Sequence, residues 1–556
     1  MQIKYEDILQ QMTGPGGPFE IAVEMVGGRP MKNFVARERS IREKIVAASA
    51  RDGQTLLVYG DRRYSDRDFA RLVFGVGERL VADHGLQKGD RVAVLAVNRP
   101  EWLLAAFGAT SVAGIGVALN GWWQTDELEY GLRDSGSRFL VVDDRLFARV
   151  APVLGRIPTL EKVFYVGEHA PAGTTPFSSL MQPTDTVPTQ PIDEDDPFMI
   201  LYTSGTTGRS KGCITTHRGT IAQVLGILFA GIAGSILSGS ELIPSGGEPS
   251  ALVTSPLFHV GGLHSGICTQ ITAGIKIVLL EGKFDPDRVM QMIEKEKITM
   301  WPAIPTMLHR VVHSPNIADY DLSSLLSVSF GGAPTAPETI DRARAVLPVE
   351  PSFSNAYGLT ETHGVATVNA GKALLGRKTS AGRVAPMLDC RIVDSDGREV
   401  AAGSLGEVLF YGPTITPGYW NRPDATAETV RDGWLHTGDL GYLDEEGFLY
   451  IVDRVKDMIL RGGENVYCVE IENLLAEHPE IDEAAIVGVP DAEMGERVKA
   501  IVRRVAGSTI DAEAVRRHVA SRMAAFKVPE FVEFTNEPLP RNPAGKILKN
   551  ELRKTT

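Results

Sequence analysis

Met199-Ile-Leu-Tyr202-Thr203-Ser204-Gly205-Thr206-Thr207-Gly208-Arg209-Ser210-Lys211-Gly212 is the stretch on which the reading of this chain turns. An apolar run ends at Tyr202 and gives way at once to hydroxyl and glycine residues closed by a lysine. The first part reads as a strand and the second as the loop that leaves it. The glycines let the backbone turn tightly and approach a ligand closely. The Ser and Thr hydroxyls and exposed N–H groups form a nest of donors, and Lys211 adds positive charge suited to phosphate oxygens. This is not a Walker A loop, which needs Gly directly before Lys, because Arg209 and Ser210 intervene here. A mobile Ser/Gly surface loop is the competing reading of the same composition.

On either side of this stretch, extended runs alternate with helix-like segments. Residues 91–97, 139–143, 163–166, 252–255, 275–280 and 326–330 read as strands, and residues 66–82 and 286–296 as amphipathic helices. That rhythm predicts an α/β protein with largely parallel sheets. Residues 183–197 and 243–250 read as Pro-rich loops. After Cys390 the texture changes to short strands (390–393, 406–411, 448–452) separated by Gly and Asp turns, a pattern of antiparallel structure. Past Arg454 the chain reads as a compact α+β unit. The expected division is 1–453, a hinge at 454–457, and 458–556.

The length of 556 residues exceeds what one core usually organises. The formal net charge of −13 argues against a nucleic-acid partner. Cys213, Cys268, Cys390 and Cys468 show no CxxC spacing, so they read as free thiols in a reducing, cytoplasmic compartment. No secretory leader is read at the N-terminus. Residues 220–240 are uncharged and long enough to cross a bilayer. Their Gln, Ser and Gly content favours a buried helix, so no integral membrane span is expected. A homodimer is left open.

Five further segments follow the loop in order: Ser329-Phe-Gly331-Gly332-Ala333-Pro334, Asn355-Ala356-Tyr357-Gly358-Leu-Thr360-Glu361, Thr437-Gly-Asp439, Asp453-Arg454-Val-Lys456-Asp457 and Pro543-Ala-Gly-Lys546. With the loop, they resemble the adenylate-forming superfamily of acyl-CoA synthetases, firefly luciferases and peptide-synthetase adenylation domains, from about Leu56 to the C-terminus. The resemblance implies a large N-terminal domain of mainly parallel α/β sheets with a β-barrel-like portion, and a small mobile α+β C-terminal domain. It also implies ATP and CoA as co-substrates, with Mg²⁺.

The residues carry readings of their own beside that resemblance. Residues 331–334 would form a wall poor in side chains against which adenine lies, with the Tyr357 ring opposite. Asn355 is suited to reading the adenine amino group, and Thr360 to binding the α-phosphate. Glu361 resembles the family's magnesium-associated acid. Asp439 and Arg454 resemble the ribose-contacting pair, and Lys456 falls at the hinge. Lys546 resembles the catalytic lysine between carboxylate and α-phosphate. The paired glycines of Arg461-Gly462-Gly463-Glu464-Asn465 would leave room for the pantetheine arm of CoA.

Ser255-Pro-Leu-Phe-His259-Val260-Gly261-Gly262 resembles the segment lining the acyl pocket, to which Gly331, His363 and Val365 are added by motif position. Amino-acid-activating relatives generally carry Asp where His259 stands, so a carboxylic acid without an α-amino group is expected. A fatty or medium-chain acid is favoured over aryl and cinnamic-type acids. A carrier-protein acceptor, a luciferase-like oxidation and a non-catalytic nucleotide binder are the competing readings. No function is read into Trp122 and Trp123 beyond packing.

Overall fold

The apolar run at residues 198–201 is buried along its whole length, as a strand covered on both faces requires. It lies in Pro197–Thr203 and pairs with Ile115–Ala118 in parallel and with Lys211–Thr216 in antiparallel register. The computed structural model describes residues 4–51, 53–203, 209–239, 248–333, 335–347, 352–542 and 545–554. Loop residues Ser204, Gly205, Thr206, Thr207 and Gly208, and Pro334, therefore lie outside the described residues.

Two large sheets dominate. The first is seven-stranded and apart from its antiparallel edge strand Lys211–Thr216 is parallel. The second is 14-stranded. Its strands Thr55–Tyr59, Ser250–Val253, Lys276–Leu279, Met300–Ala303, Ser327–Gly331 and Ser352–Leu359 run parallel. Beyond Ser352–Leu359 the pairing becomes antiparallel through Gly364–Ala370, Gly382–Val384, Phe448–Arg454, Trp434–Leu443, Gly406–Tyr411 and Asp389–Val393. This portion does not close into a barrel. It continues the parallel sheet, because Gly364–Ala370 pairs on one side with a parallel-sheet strand and on the other with Gly382–Val384.

Helices pack between and over the sheets. Thr216 caps the helix His217–Ser238 by accepting from the Gly219 N–H, and Gly239, at φ 69°, ends it. This is the one helix among the described residues long and apolar enough to cross a membrane, with mean hydropathy 2.0. Its first turns are buried against the rest of the protein, while Ile232, Ile236 and Leu237 near its end are exposed. Trp123 is buried edge-on against Tyr202 at 5.2 Å, so it serves packing; Trp122 is 57% exposed.

The third sheet, of five strands from Ile459–Arg461 to Phe531–Thr535, belongs to the small C-terminal domain. Ile471, Leu475, Ile486, Val498 and Val515 give it a core of its own.

Candidate active site

The carboxyl ends of the parallel strands of the 14-stranded sheet open onto a cavity of about 1030 Å³. In open α/β sheets this is where ligands bind. Strand Ser352–Leu359 brings Ala356, Tyr357 and Gly358 to the wall, and Gly331 and Gly332 come from the neighbouring strand end. The seven-stranded sheet contributes Thr203 and Lys211, and the antiparallel part Thr437, Gly438 and Arg454. The C-terminal domain contributes Asn542 and Lys546. Residues more than three hundred positions apart thus converge on one space.

Its electrostatics are set by cations with few fixed counter-charges. Lys546 makes no ion pair among the described residues. Burial, reinforced by Arg454 and Lys456, brings its ammonium down to about 7. The Asn542 Oδ1 accepts from the Lys546 N–H at 2.9 Å. Lys456 lines the same wall, and burial lowers its pKa as well. Lys211 lies 5.1 Å from the centre of the Tyr419 ring. The Tyr419 hydroxyl donates to Glu361 Oε1 at 2.6 Å, and burial beside that carboxylate raises the tyrosine's pKa. Lys211 and Glu361 are therefore grouped around one aromatic ring, and Thr360, next to Glu361 in the chain, lines the same cavity. Tyr419 was not singled out in the sequence; the only sign of it is an aromatic pair, Tyr419-Trp420, after Pro417-Gly418.

Asp439 is buried beneath the floor of the cavity. Its Oδ2 accepts from the Tyr357 hydroxyl at 2.6 Å and its Oδ1 faces Arg454 Nε at 3.1 Å. Burial and the Asp439 carboxylate push the Tyr357 hydroxyl well above its usual range. Gly358 is required by close packing, since a Cβ there would sit 1.8 Å from the Gly364 carbonyl oxygen.

Three expected contacts are not made. The Asn355 side chain does not face the cavity; its amide donates to the Ser380 carbonyl at 3.3 Å. Strand alternation turns it away from the wall to which Ser354 and Ala356 point. His363 is fully buried outside the acyl pocket. With φ 57° its ring turns inward, where Nδ1 donates to the Thr414 carbonyl at 2.7 Å and Nε2 accepts from the Thr216 N–H at 2.8 Å. Burial holds it neutral, with a pKa of about 3, so it is a structural pin. Ala333 does not reach the cavity wall although its neighbour Gly332 does. Gly462, Gly463 and Glu464 form an exposed hairpin turn between Ile459–Arg461 and Glu464–Val466, away from the cavity in this arrangement of the domains.

Below the cationic end the cavity continues as a largely apolar channel. His259, Val260, Gly261, Gly262 and Val365 line its entrance. It then runs between the helix His217–Ser238 (Leu228, Gly231, Gly234, Ser238) and the sheet, as far as Met300, Ser327 and Ser352 at the amino ends of the strands. From Gly331 to Ser327 is four strand steps, or roughly 13 Å. Two buried polar atoms on its wall, His259 Nε2 and Gln270 Oε1, have no hydrogen-bond partner. Burial lowers the His259 pKa to about 4, so the ring is neutral.

A sequence model of the AMP-binding enzyme family matches residues 46–420, and one of the AMP-binding enzyme C-terminal domain matches residues 470–546. The chain belongs to this adenylate-forming family. Feruloyl-CoA synthase of Amycolatopsis sp is 35% identical over 511 residues, covering 91% of this chain and 96% of that one. A long-chain-fatty-acid–CoA ligase of Bacillus subtilis (strain 168) is 36% identical over 499 residues, covering 84% and 86%. Among solved structures, an anthranilate CoA ligase in complex with anthranoyl-AMP superposes with TM-score 0.84 at 26% identity, covering 93% of this chain and 97% of that one. As a member of the AMP-binding enzymes, this protein is an AMP-forming acid ligase with the family's large N-terminal and small C-terminal domains.

Proposed function

We propose that this AMP-binding enzyme activates a fatty or medium-chain carboxylic acid as its acyl adenylate and passes the acyl group to CoA. One observation carries the reading: a single cavity runs from Lys211, Thr360 and Lys546 into a channel walled by small and apolar residues along the whole depth of the sheet. ATP phosphates suit the cationic end, and a slender acyl chain suits the other.

In the first half-reaction a carboxylate oxygen attacks the α-phosphorus, the bond to the β-phosphate oxygen breaks, and pyrophosphate leaves. The carboxylate is already the nucleophile, so no general base is needed. The barrier lies in anion repulsion and in charge growing on phosphoryl oxygens, which Lys546, Thr360 and Lys211 are placed to offset. Tyr357, Gly332 and Ala356 frame the base, and Arg454 the ribose, with Asp439 holding Tyr357 and Arg454 in place from beneath the floor. Mg²⁺ prefers oxygen donors, one or two carboxylates plus phosphates. Glu361 fits that set, because only its Oε1 is held by a protein donor among the described residues. Bound there, the ion would neutralise phosphate charge.

In the second half-reaction the thiol of CoA attacks the acyl carbon, the bond to the AMP oxygen breaks, and the thiol proton is released to solvent. Rotation about residues 454–457, with Lys456 as hinge, would withdraw Lys546 and bring in the turn at Gly462, Gly463 and Glu464. That turn is exposed in the present arrangement, tied within its own domain by the Gly462 N–H to the Met494 carbonyl at 2.7 Å, so it is free to face a ligand after rotation. The four free cysteines suit a reducing, cytoplasmic setting.

The unpartnered Gln270 Oε1 and His259 Nε2 favour a second reading, in which the acid carries a polar group, as hydroxylated aryl and cinnamic-type acids do. ATP–pyrophosphate exchange followed by thioester detection, across fatty, aryl and cinnamic-type acids, tests both. No exchange with any acid would overturn acid activation. Exchange without thioester would overturn CoA as acceptor.

A further inference from the structure

Outside the cavity, the helix Pro305–Val312 carries His309, and His313 is its C-cap. The two imidazoles stack with centroids 4.1 Å apart at 30°. His313 Nδ1 donates to the His309 carbonyl at 2.8 Å, which leaves the Nε2 lone pair facing outward. That Nε2 lies 3.7 Å from Oε1 of Glu338, on the adjacent helix Pro337–Val346. One donor atom from each of His309, His313 and Glu338 falls within 4.8 Å of the other two. A fourth group comes from the other domain: Asp482, on strand Ile481–Asp491, holds Oδ1 3.8 Å from His309 Nε2. Arg503 takes the opposite oxygen, Oδ2, at 3.0 Å and so aims Oδ1 at the histidines. None of the four lines the adenylation cavity.

Two neutral imidazoles and two carboxylates are the donor set that borderline divalent ions such as Zn²⁺ prefer. Bonds of 2.0–2.1 Å in a tetrahedron put donors about 3.4 Å apart. Two spacings, 3.7 and 3.8 Å, are within a few tenths of that, while the others, up to 4.8 Å among His309, His313 and Glu338 and longer still to Asp482, would close by side-chain rotation as the ion binds. The side chains are about one-third exposed, which leaves a path for an ion from solvent. We propose that His309, His313 and Glu338 form a transition-metal site of the zinc class, completed by Asp482, and that the bound ion holds the C-terminal domain over the adenylation cavity. The clamp rests on the domain rotation described under the proposed function; the metal site itself does not.

The test is calorimetric titration of the whole enzyme with ZnCl₂, in thiol-free buffer with excess Mg²⁺ to occupy hard sites. A single site of micromolar affinity or tighter is expected. His313→Ala should weaken it tenfold or more while leaving zinc-free, Mg²⁺-supported pyrophosphate exchange unchanged, and Asp482→Asn should weaken it severalfold. No saturable uptake, or uptake that His313→Ala leaves intact, overturns the site. A fluorophore pair, one on each domain, reads the clamp: Zn²⁺ should populate the closed arrangement in the wild type but not in Asp482→Asn. An unchanged signal at saturation overturns the clamp. Loss of exchange in every zinc-free form, with Mg²⁺ present, would count against acid activation and not against the zinc site.

Discussion

The two ends of the cavity are built by opposite means. At the phosphate end, charged and hydroxyl side chains from both large sheets and the C-terminal domain meet beside hydrogen bonds such as Tyr419–Glu361 and Tyr357–Asp439. At the acyl end the wall is mostly glycine, serine and aliphatic carbon, and two of its buried polar atoms, His259 Nε2 and Gln270 Oε1, go unpaired. One end is specified by the chemistry of a few groups, the other by the absence of bulk. Substitutions at the first should therefore change how fast any acid reacts, and substitutions at the second should change which acid reacts.

Lys546→Ala is the strongest attempt to break this division. Removing one well-placed electrostatic donor typically costs about 3–4 kcal/mol, so pyrophosphate exchange should fall a hundredfold or more for every acid alike. Thiolysis of preformed acyl adenylate should change little. A loss confined to one class of acid would mean that Lys546 reads the acyl group. Lys456→Pro acts on the link between the half-reactions, since fixing φ at the hinge restricts rotation. Thioester formation should drop tenfold or more in stopped single turnovers while exchange survives; equal loss of both would remove Lys456 from the hinge.

The cationic end should also impose a pH dependence of known sign. Burial beside Arg454 and Lys456 brings the Lys546 ammonium to about 7, so in the free enzyme it is charged below that pH and neutral above it. The kcat/KM for ATP in exchange should fall as pH rises through 7, approaching tenfold per unit, because this ratio reports the free enzyme's groups. In kcat the break should lie higher, since bound phosphates favour the ammonium. Lys546→Arg, which stays charged, should flatten the decline whatever its absolute rate; a profile that still breaks at the same pH would assign the titration to another group.

The same contrast explains what could be read from the amino-acid sequence. The phosphate end is written in short contiguous strings, because each needs a local turn and a particular functional group. Lys211, Thr360, Glu361, Arg454 and Lys546 accordingly meet at the cavity. Where a string was read one residue too literally, backbone geometry decided otherwise: strand alternation turned Asn355 away, and a left-handed φ buried His363. The parallel and antiparallel textures were legible as well, but not that they form one continuous sheet, since strand pairing across Gly364–Ala370 is a long-range choice. The channel has no string at all. Its wall takes Gly234, Gln270, Met300 and Ser352 from separate elements, and each looks like ordinary core until the helix is laid against the sheet.

Gln270→Leu probes the acyl end with the smallest expected effect. The substitution removes a buried acceptor that has no partner and replaces it with carbon of similar size. For a saturated fatty acid nothing is lost, and relief of an unpaired buried polar atom should leave kcat/KM unchanged or raise it severalfold. For an acid whose hydroxyl reaches Oε1, loss of that hydrogen bond should lower kcat/KM about tenfold. The diagnostic quantity is thus the ratio of the two acids, which should shift toward the aliphatic one while exchange with a short acid such as butyrate, ending above Gln270, stays constant. If hydroxylated and plain acids respond equally, the orphaned oxygen is a packing accident and the channel discriminates by width alone.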